Sequence, residues 1–419
     1  MQVEDHQHEE EQYSIGATEE SVSIDYPVRQ AGILNLGNTG YMDVILQHFY
    51  MNKRFLKFIL SIDVSSLEKK SKLNEGVQLI KELQQMFRHL QTAENLPSEA
   101  ETALHIQHDG LREAFPLIRH MIIPDGSYDP THLVKAVDNS MRLWRPVLQP
   151  NDSSEFLWRF LDKIERTLAS VDYSEGKKRL RELTGIPKVT EWMCSNCQNQ
   201  KRFCRVERFV SVPIRSYPNL TFAAQKLLQH KQLMSSSRCT GCKTQSAFHG
   251  LNYYEELPHM LAFRLERWTK DINGQSVKLN DRFEFHDTLD LVHSHEEQEN
   301  SAKEESSKSQ CKNLKKVLGI RRHGPKEKDK NKEIKPPEET LKYRLSGVVV
   351  HRGTAKGGRY FCFIKDRSLA SRTSRWIRFW GTSVTPATYK TVKEESFGGL
   401  IEDGVSTNAY LVFYEKLLE

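Results

Sequence analysis

The sequence predicts an α+β protein. Helical periodicity occupies its first half, aromatic and β-branched runs occupy its second, and two Cys-x-x-Cys pairs lie inside the strand-rich part. From Gly32 to about Ser170 the pattern is helical, beginning with the apolar stretch Tyr41 to Phe49. Val77, Ile80, Leu83, Phe87 and Leu90 recur at helical spacing, and so do Phe156, Leu157, Phe160, Leu161, Ile164 and Leu168. The last of these helices carries a start signal, with Asp152 as N-cap and Glu155 three residues on, the pattern of a capping box. After about Thr190 the texture changes to strands. Phe263, Leu265 and Arg267 fall in one, YRLSGVVVH (343–351) and RYFCFIKD (359–366) in two more, and WIRFW (376–380) and AYLVFYEK (409–416) near the end. No internal repeat is present.

A chain of 419 residues accommodates one large domain or two to three modest ones. Its 61 basic and 55 acidic side chains leave a net charge of +6, too weak a balance to imply a nucleic-acid partner, and none is expected. No run of about 18 apolar residues occurs, so neither a transmembrane helix nor a membrane partner is expected. The acidic N-terminus lacks the apolar stretch of a secretory signal, and seven cysteines do not form an even extracellular disulfide framework. The expectation is a soluble intracellular protein of the cytoplasm, the nucleus or both.

Two segments are too polar to build a core. Residues 1–29 hold eight acidic side chains and one arginine and read as a disordered acidic arm. Residues 294–338 read as a disordered charged insertion within the strand-rich part; their second half, 312–335, has ten basic and three acidic residues. A solvated linker is the plainer reading. Docking of an acidic protein partner at 312–335, or a localisation signal, is the alternative.

Cys194-Ser-Asn-Cys197 and Cys239-Thr-Gly-Cys242 are separated by 41 residues. Each pair places two thiolates on one tight turn, and two such turns complete a tetrahedral sulfur shell for a structural zinc ion. Cys204 lies near the first pair as a possible competitor, whereas Cys311 and Cys362 read as incidental.

Several boxes in order carry a family resemblance. GILNLGNTGYMDVILQ (32–47), NDSSEFL (151–157), the two Cys-x-x-Cys pairs, LPHMLAFRLERW (257–268), VKLNDRFEF (277–285), YRLSGVVVHRGTAKGGRYFCFIKD (343–366), WIRFWGTSV (376–384) and NAYLVFYEK (408–416) together resemble the ubiquitin-specific proteases. The resemblance covers roughly residues 31 to 417. It implies a papain-like fold of fingers, palm and thumb with a zinc ribbon: a helical thumb at about 31–190, and fingers and palm from about 191–293 and 339–419. It also implies recognition of ubiquitin or a ubiquitin-like protein, whose C-terminal tail the family lays in a channel beside the reactive thiol. By resemblance, Asp152, Gly357, Gly358, Tyr360 and Trp376 belong to that channel.

The family's chemistry needs a thiolate at a helix start, a histidine to take its proton, a carboxylate or amide to orient the histidine, and an oxyanion donor. Here the nucleophile position is Gly40, the histidine position is Arg359, and the acid position is Gly381, followed by Thr382. Asn35, at the oxyanion position, remains. Arginine cannot replace the base, because its guanidinium stays protonated. His351 reads as a structural histidine, and Cys362 points away from Arg359 by strand alternation. Asp43, in the first turn of the helix after Gly40, is expected to suit the helix dipole but to repel a tail carboxylate. The expectation is a catalytically inactive homologue that binds ubiquitin or a ubiquitin-like protein without cleaving it. An inactive scaffold acting through its arm and insertion is the alternative, and an active cysteine hydrolase with a displaced nucleophile is the least favoured reading.

Overall fold

The computed structural model describes residues 30–70, 74–95, 126–229, 231–294, 338–366, 375–399, 401–402 and 404–417. The acidic arm and nearly all of the charged insertion lie outside these residues. In chain order the helices of the first half are α1 (Gly40–Met51), α2 (Lys53–Leu60), α3 (Val64–Lys70), α4 (Glu75–Asn95), α5 (Thr131–Ser140), α6 (Ser153–Ser170) and α7 (Ser174–Thr184). Strands follow: β1 (Ile186–Cys194), β2 (Gln200–Glu207) and β3 (Val210–Val212), then helix α8 (Leu220–Leu227). Next come β4 (Lys231–Arg238), β5 (Gln245–Tyr254), β6 (Met260–Leu265), β7 (Trp268–Lys270), β8 (Ser276–Lys278), β9 (Thr288–Ser294), β10 (Glu338–Thr354), β11 (Gly357–Lys365), β12 (Trp376–Trp380) and β13 (Ser383–Ala387). Helix α9 (Tyr389–Ser396), β14 (Ile401–Glu402) and β15 (Val405–Lys416) end the described chain.

The larger sheet runs β13-β12-β11-β10-β15-β6-β3, with β9 on β10 and β14 on β15; the smaller runs β2-β1-β5-β4. Every pairing is antiparallel except β3 with β6. Both faces of the larger sheet are covered, which explains why its central strands read as unbroken apolar runs. Val349, Cys362, Ile364, Leu411 and Phe413 face the helical lobe. Val348, Val350, Phe361, Phe363, Val412 and Tyr414 face the second core, beneath α8 and α9. Period-2 alternation thus divides each run between two cores.

Helix α1 is buried nearly all round, lodged between the helical lobe and the larger sheet. His48 stacks on Phe413 with ring centroids 3.9 Å apart and fills the space over Gly347, where a Cβ would lie 2.5 Å from its Nδ1. Burial lowers the His48 pKa to about 3. Asp152 caps α6 as expected, accepting from the backbone N–H groups of Ser154 and Glu155 at 2.8 and 2.9 Å. The reciprocal half of the capping box is replaced, because Glu155 accepts instead from the Trp144 N–H at 3.1 Å and from Arg159 at 2.6 Å. Arg267, expected at a strand position, lies just beyond β6 and is fully buried, its guanidinium spent on the carbonyls of Ala409, Asp281 and Phe397. No described helix is long and apolar enough to cross a membrane.

Candidate functional site: a cleft at the start of α1 and a four-cysteine cluster

One cleft of about 480 Å³ opens where the start of α1, the loop before α6, the hairpin β10–β11 and the end of β12 converge. Asn35, Gly40, Gly358, Arg359, Tyr360 and Gly381 all line it. The chain 37–40 forms a turn held by Asn35, whose Oδ1 accepts from the N–H groups of Gly37 at 3.0 Å and Thr39 at 3.1 Å. That leaves the Asn35 Nδ2 facing the start of the helix, 3.2 Å from where a Cβ on Gly40 would stand. The next nearest atom to that point is the Tyr360 carbonyl oxygen at 3.7 Å, so a small side chain at residue 40 would fit once the Asn35 amide gave by a few tenths of an ångström. Gly381 adopts φ +60°, and its carbonyl accepts from the Ile33 N–H at 3.2 Å, tying the end of β12 to the segment before α1.

Among the described residues the lining holds no cysteine, histidine or carboxylate, and Arg359 is its only charged side chain. The nearest groups with catalytic potential are committed elsewhere. The Tyr41 hydroxyl donates to the Val147 carbonyl at 3.0 Å, and burial pushes its pKa up. Cys362 is buried between the larger sheet and the helical lobe, its thiol pushed up chiefly by burial. His351 lies beneath the wall, edge-on to Trp268 and Tyr360 with centroids 5.3 and 5.0 Å away, and burial lowers its pKa to about 3. Its ring occupies the place of a Gly358 side chain, since a Cβ there would meet His351 Nε2 and the Arg352 carbonyl, each at 2.5 Å. His351 therefore has the structural role expected of it.

Four expectations for this region change. Trp376 does not wall the cleft: it is fully buried in the second core, stacked on Tyr389 at 6.2 Å. Trp380, four residues along the same strand and on the same face, lines the cleft instead. Asp152 lies behind the lining, holding α6 and accepting from the Tyr410 hydroxyl at 2.6 Å, while Asn151 and Pro150 reach the cleft. Asp43 does not face an incoming group either. It is buried outside the lining, accepts from the Thr39 hydroxyl at 2.9 Å, and burial raises its pKa well above the ordinary carboxylate value. Gly357 sits exposed at the hairpin end, outside the lining. Asn38, Asn151 and Thr382 were not anticipated in the lining, although each lies inside a box that the sequence displays.

The second site is the tip of the smaller sheet. Cys194, Cys197, Cys239 and Cys242 bring their sulfur atoms within 4.8 Å of one another. Two sulfur pairs lie 4.0 Å (Cys194–Cys242) and 3.6 Å (Cys197–Cys239) apart. A tetrahedral zinc–thiolate shell with bonds of about 2.3 Å requires sulfur separations of about 3.8 Å, so the donor set fits that ion. The two turns are alike. Gln198 and Lys243, each just past the second cysteine, take φ of 59° and 64°, and their N–H groups return to the carbonyls of Cys194 and Cys239. Cys204 lies exposed on β2 and takes no part.

Comparison with known proteins places this architecture. The family model described as ubiquitin carboxyl-terminal hydrolase matches residues 31–414. The chain belongs to that family. It is similar to ubiquitin carboxyl-terminal hydrolase 9Y of Mus musculus, 23% identical over 92% of this chain and 16% of that protein. It is also similar to ubiquitin carboxyl-terminal hydrolase 47 of Drosophila melanogaster, 22% identical over 93% of this chain and 25% of that protein. It thus spans a quarter or less of these relatives. Among solved structures, a chain of the SAGA Ubp8/Sgf11/Sus1/Sgf73 deubiquitinating module bound to ubiquitin aldehyde superposes with a TM-score of 0.58 at 17% identity, over 93% of this chain and 70% of that one. The helical lobe, the larger sheet and the smaller sheet accordingly correspond to the thumb, palm and fingers of the ubiquitin-specific protease fold.

Proposed function

We propose that this chain recognises ubiquitin, or a ubiquitin-like protein, without cleaving it, and that a structural zinc ion ties the tip of its fingers. The observation that carries the reading is the composition of the cleft: a complete set of walls and an Asn35 donor around residue 40, with no thiol, imidazole or carboxylate in the lining. Without a nucleophile no acyl-enzyme forms, and removal of one member of such a unit already costs most of its rate. No displaced group takes over, since Cys362 is buried with a raised pKa and His48 and His351 are buried with lowered ones. The supports for ubiquitin as partner are the family membership and the ubiquitin aldehyde bound by the similar module.

The test is titration of the purified protein with mono-ubiquitin, repeated on a Gly40→Cys, Arg359→His, Gly381→Asp triple variant. Saturable binding by the parent, with hydrolysis of a ubiquitin C-terminal amide only by the variant, is the expected result. The Asp at 381 must accept a left-handed backbone at a cost of about 1 kcal/mol, which the open space around it tolerates. Binding by neither protein contradicts the reading and moves the function to the arm and insertion.

A further inference from the structure

Resting on ubiquitin as partner, we propose that the cleft is selective for a free C-terminal carboxylate, so that the protein reads unconjugated tails in preference to tails joined by an amide or isopeptide bond. Four observations point to an anion at the start of α1. Arg359 is the sole charged group of the lining, is exposed, and has no hydrogen bond or ion pair among the described residues. Directly across the β10–β11 hairpin its register partner is Arg352. It too lacks an ion pair among the described residues. Arg352 stands outside the lining, but two like charges in register across antiparallel strands are unfavourable, and an anion paired with Arg359 eases that repulsion. The whole segment 351–360 contains Arg352, Lys356 and Arg359 with no acidic residue.

The other donors converge on the same place. The Thr39 carbonyl accepts from Met42 and Asp43, and the N–H groups of Gly40 and Tyr41 have no backbone partner among the described residues. These are the orphan donors of a twelve-residue helix and carry its positive end. Asn35 Nδ2 lies beside them, its Oδ1 already used by the turn. Because residue 40 has no side chain, the volume next to these donors is left for a ligand oxygen. The nearby acids stand outside the lining: Asp43 is buried, with its pKa raised by that burial, Asp152 is spent on the α6 N-cap and the Tyr410 hydroxyl, and Glu155 on Arg159 and the Trp144 N–H.

A carboxylate there gains an ion pair with Arg359 as well as the hydrogen bonds from Arg359 and the helix start, whereas an amide carbonyl gains the hydrogen bonds without the ion pair. The predicted preference is about tenfold, reduced by salt because Arg359 is exposed. The experiment titrates the full chain with native ubiquitin and with ubiquitin whose C-terminus is a carboxamide, at low and at physiological salt. Expected is tighter binding of the carboxylate form, with the gap between the two forms closed by Arg359→Gln, narrowed by Arg352→Gln and kept by Arg359→Lys. Equal affinities in the parent, or tighter binding of the carboxamide, overturn the preference while leaving ubiquitin recognition standing. Failure of both forms to bind contradicts ubiquitin recognition itself, and the preference with it.

Discussion

The two sites of this protein differ in what their sequence retains. At the fingertip the donor set is complete: four sulfur atoms on two matching turns, at separations that suit one tetrahedral ion. At the cleft the described lining offers walls without a thiol, imidazole or carboxylate: the Asn35 turn, the α1 start and the glycine-bearing hairpin surround Gly40, Arg359 and Gly381. The difference teaches that fold and chemistry are separable here. On the proposed reading, a metal at the fingertip helps hold the smaller sheet together, so losing a ligand would cost folding energy. On the same reading, the groups absent from the cleft would hold nothing else in place, so the fold survives without them.

The largest expected effect tests the fingertip half of this comparison. Purified protein should carry about one zinc per chain, and Cys194→Ser combined with Cys239→Ser should abolish it, with a local loss of several kcal/mol. Hydrogen exchange across 186–254 reads the result, and unchanged protection in a metal-free protein would break the comparison.

The next prediction concerns the two histidines behind the cleft. His48 and His351 have folded pKa values lowered from 6.5 to about 3, so their folded states favour the neutral ring. The stability they contribute is fully present above pH 6.5 and is lost as pH falls toward 3, by up to about 3 kcal/mol each at pH 4. Urea midpoints between pH 7 and 4 should fall less steeply in His48→Leu than in the parent; identical slopes would show that His48 is not held neutral.

A third prediction probes the wall. Gly358→Ala should destabilise by about 2 kcal/mol, since its Cβ meets the Arg352 carbonyl and the His351 ring at 2.5 Å, whereas Gly357→Ala, with nothing within 4 Å, should cost under about 0.5 kcal/mol. Equal thermal shifts for the two variants would contradict the placement of His351.

The smallest effect is that of Asp43→Asn. Because burial raises the Asp43 pKa, ionisation costs stability as pH rises above the ordinary carboxylate value, and the amide should stabilise by about 1 kcal/mol at pH 7 with little change at pH 4. Ubiquitin affinity should not change, since Asp43 stands outside the cleft lining.

Much of this was legible in the sequence, and the misses share a cause. Periodicity gave α4 and α6, the pairing of Cys-x-x-Cys motifs gave the metal cluster, and the motif order gave the family. The boxes also named six residues that meet at the cleft. What pattern matching does not supply is depth along an element. Trp376 and Trp380 share a strand and a face, yet one lies in the second core and the other at the cleft, because the strand runs from core to rim. Asp43 reads as a first-turn carboxylate facing an incoming tail, but α1 is buried nearly all round, and burial raises the Asp43 pKa. Arg267 reads as a strand residue, but it lies just beyond β6, where backbone carbonyls from three distant segments capture its guanidinium, and burial lowers its pKa to about 10.

The most direct test of the central claim follows the fluorescence polarisation of ubiquitin joined through an isopeptide bond to a small labelled peptide, with the protein added in excess. Recognition without cleavage predicts a rise in polarisation that persists for hours and is reversed by unlabelled ubiquitin. A rise followed by decay below the starting value, the signature of released peptide, would contradict it, as would a signal that never rises.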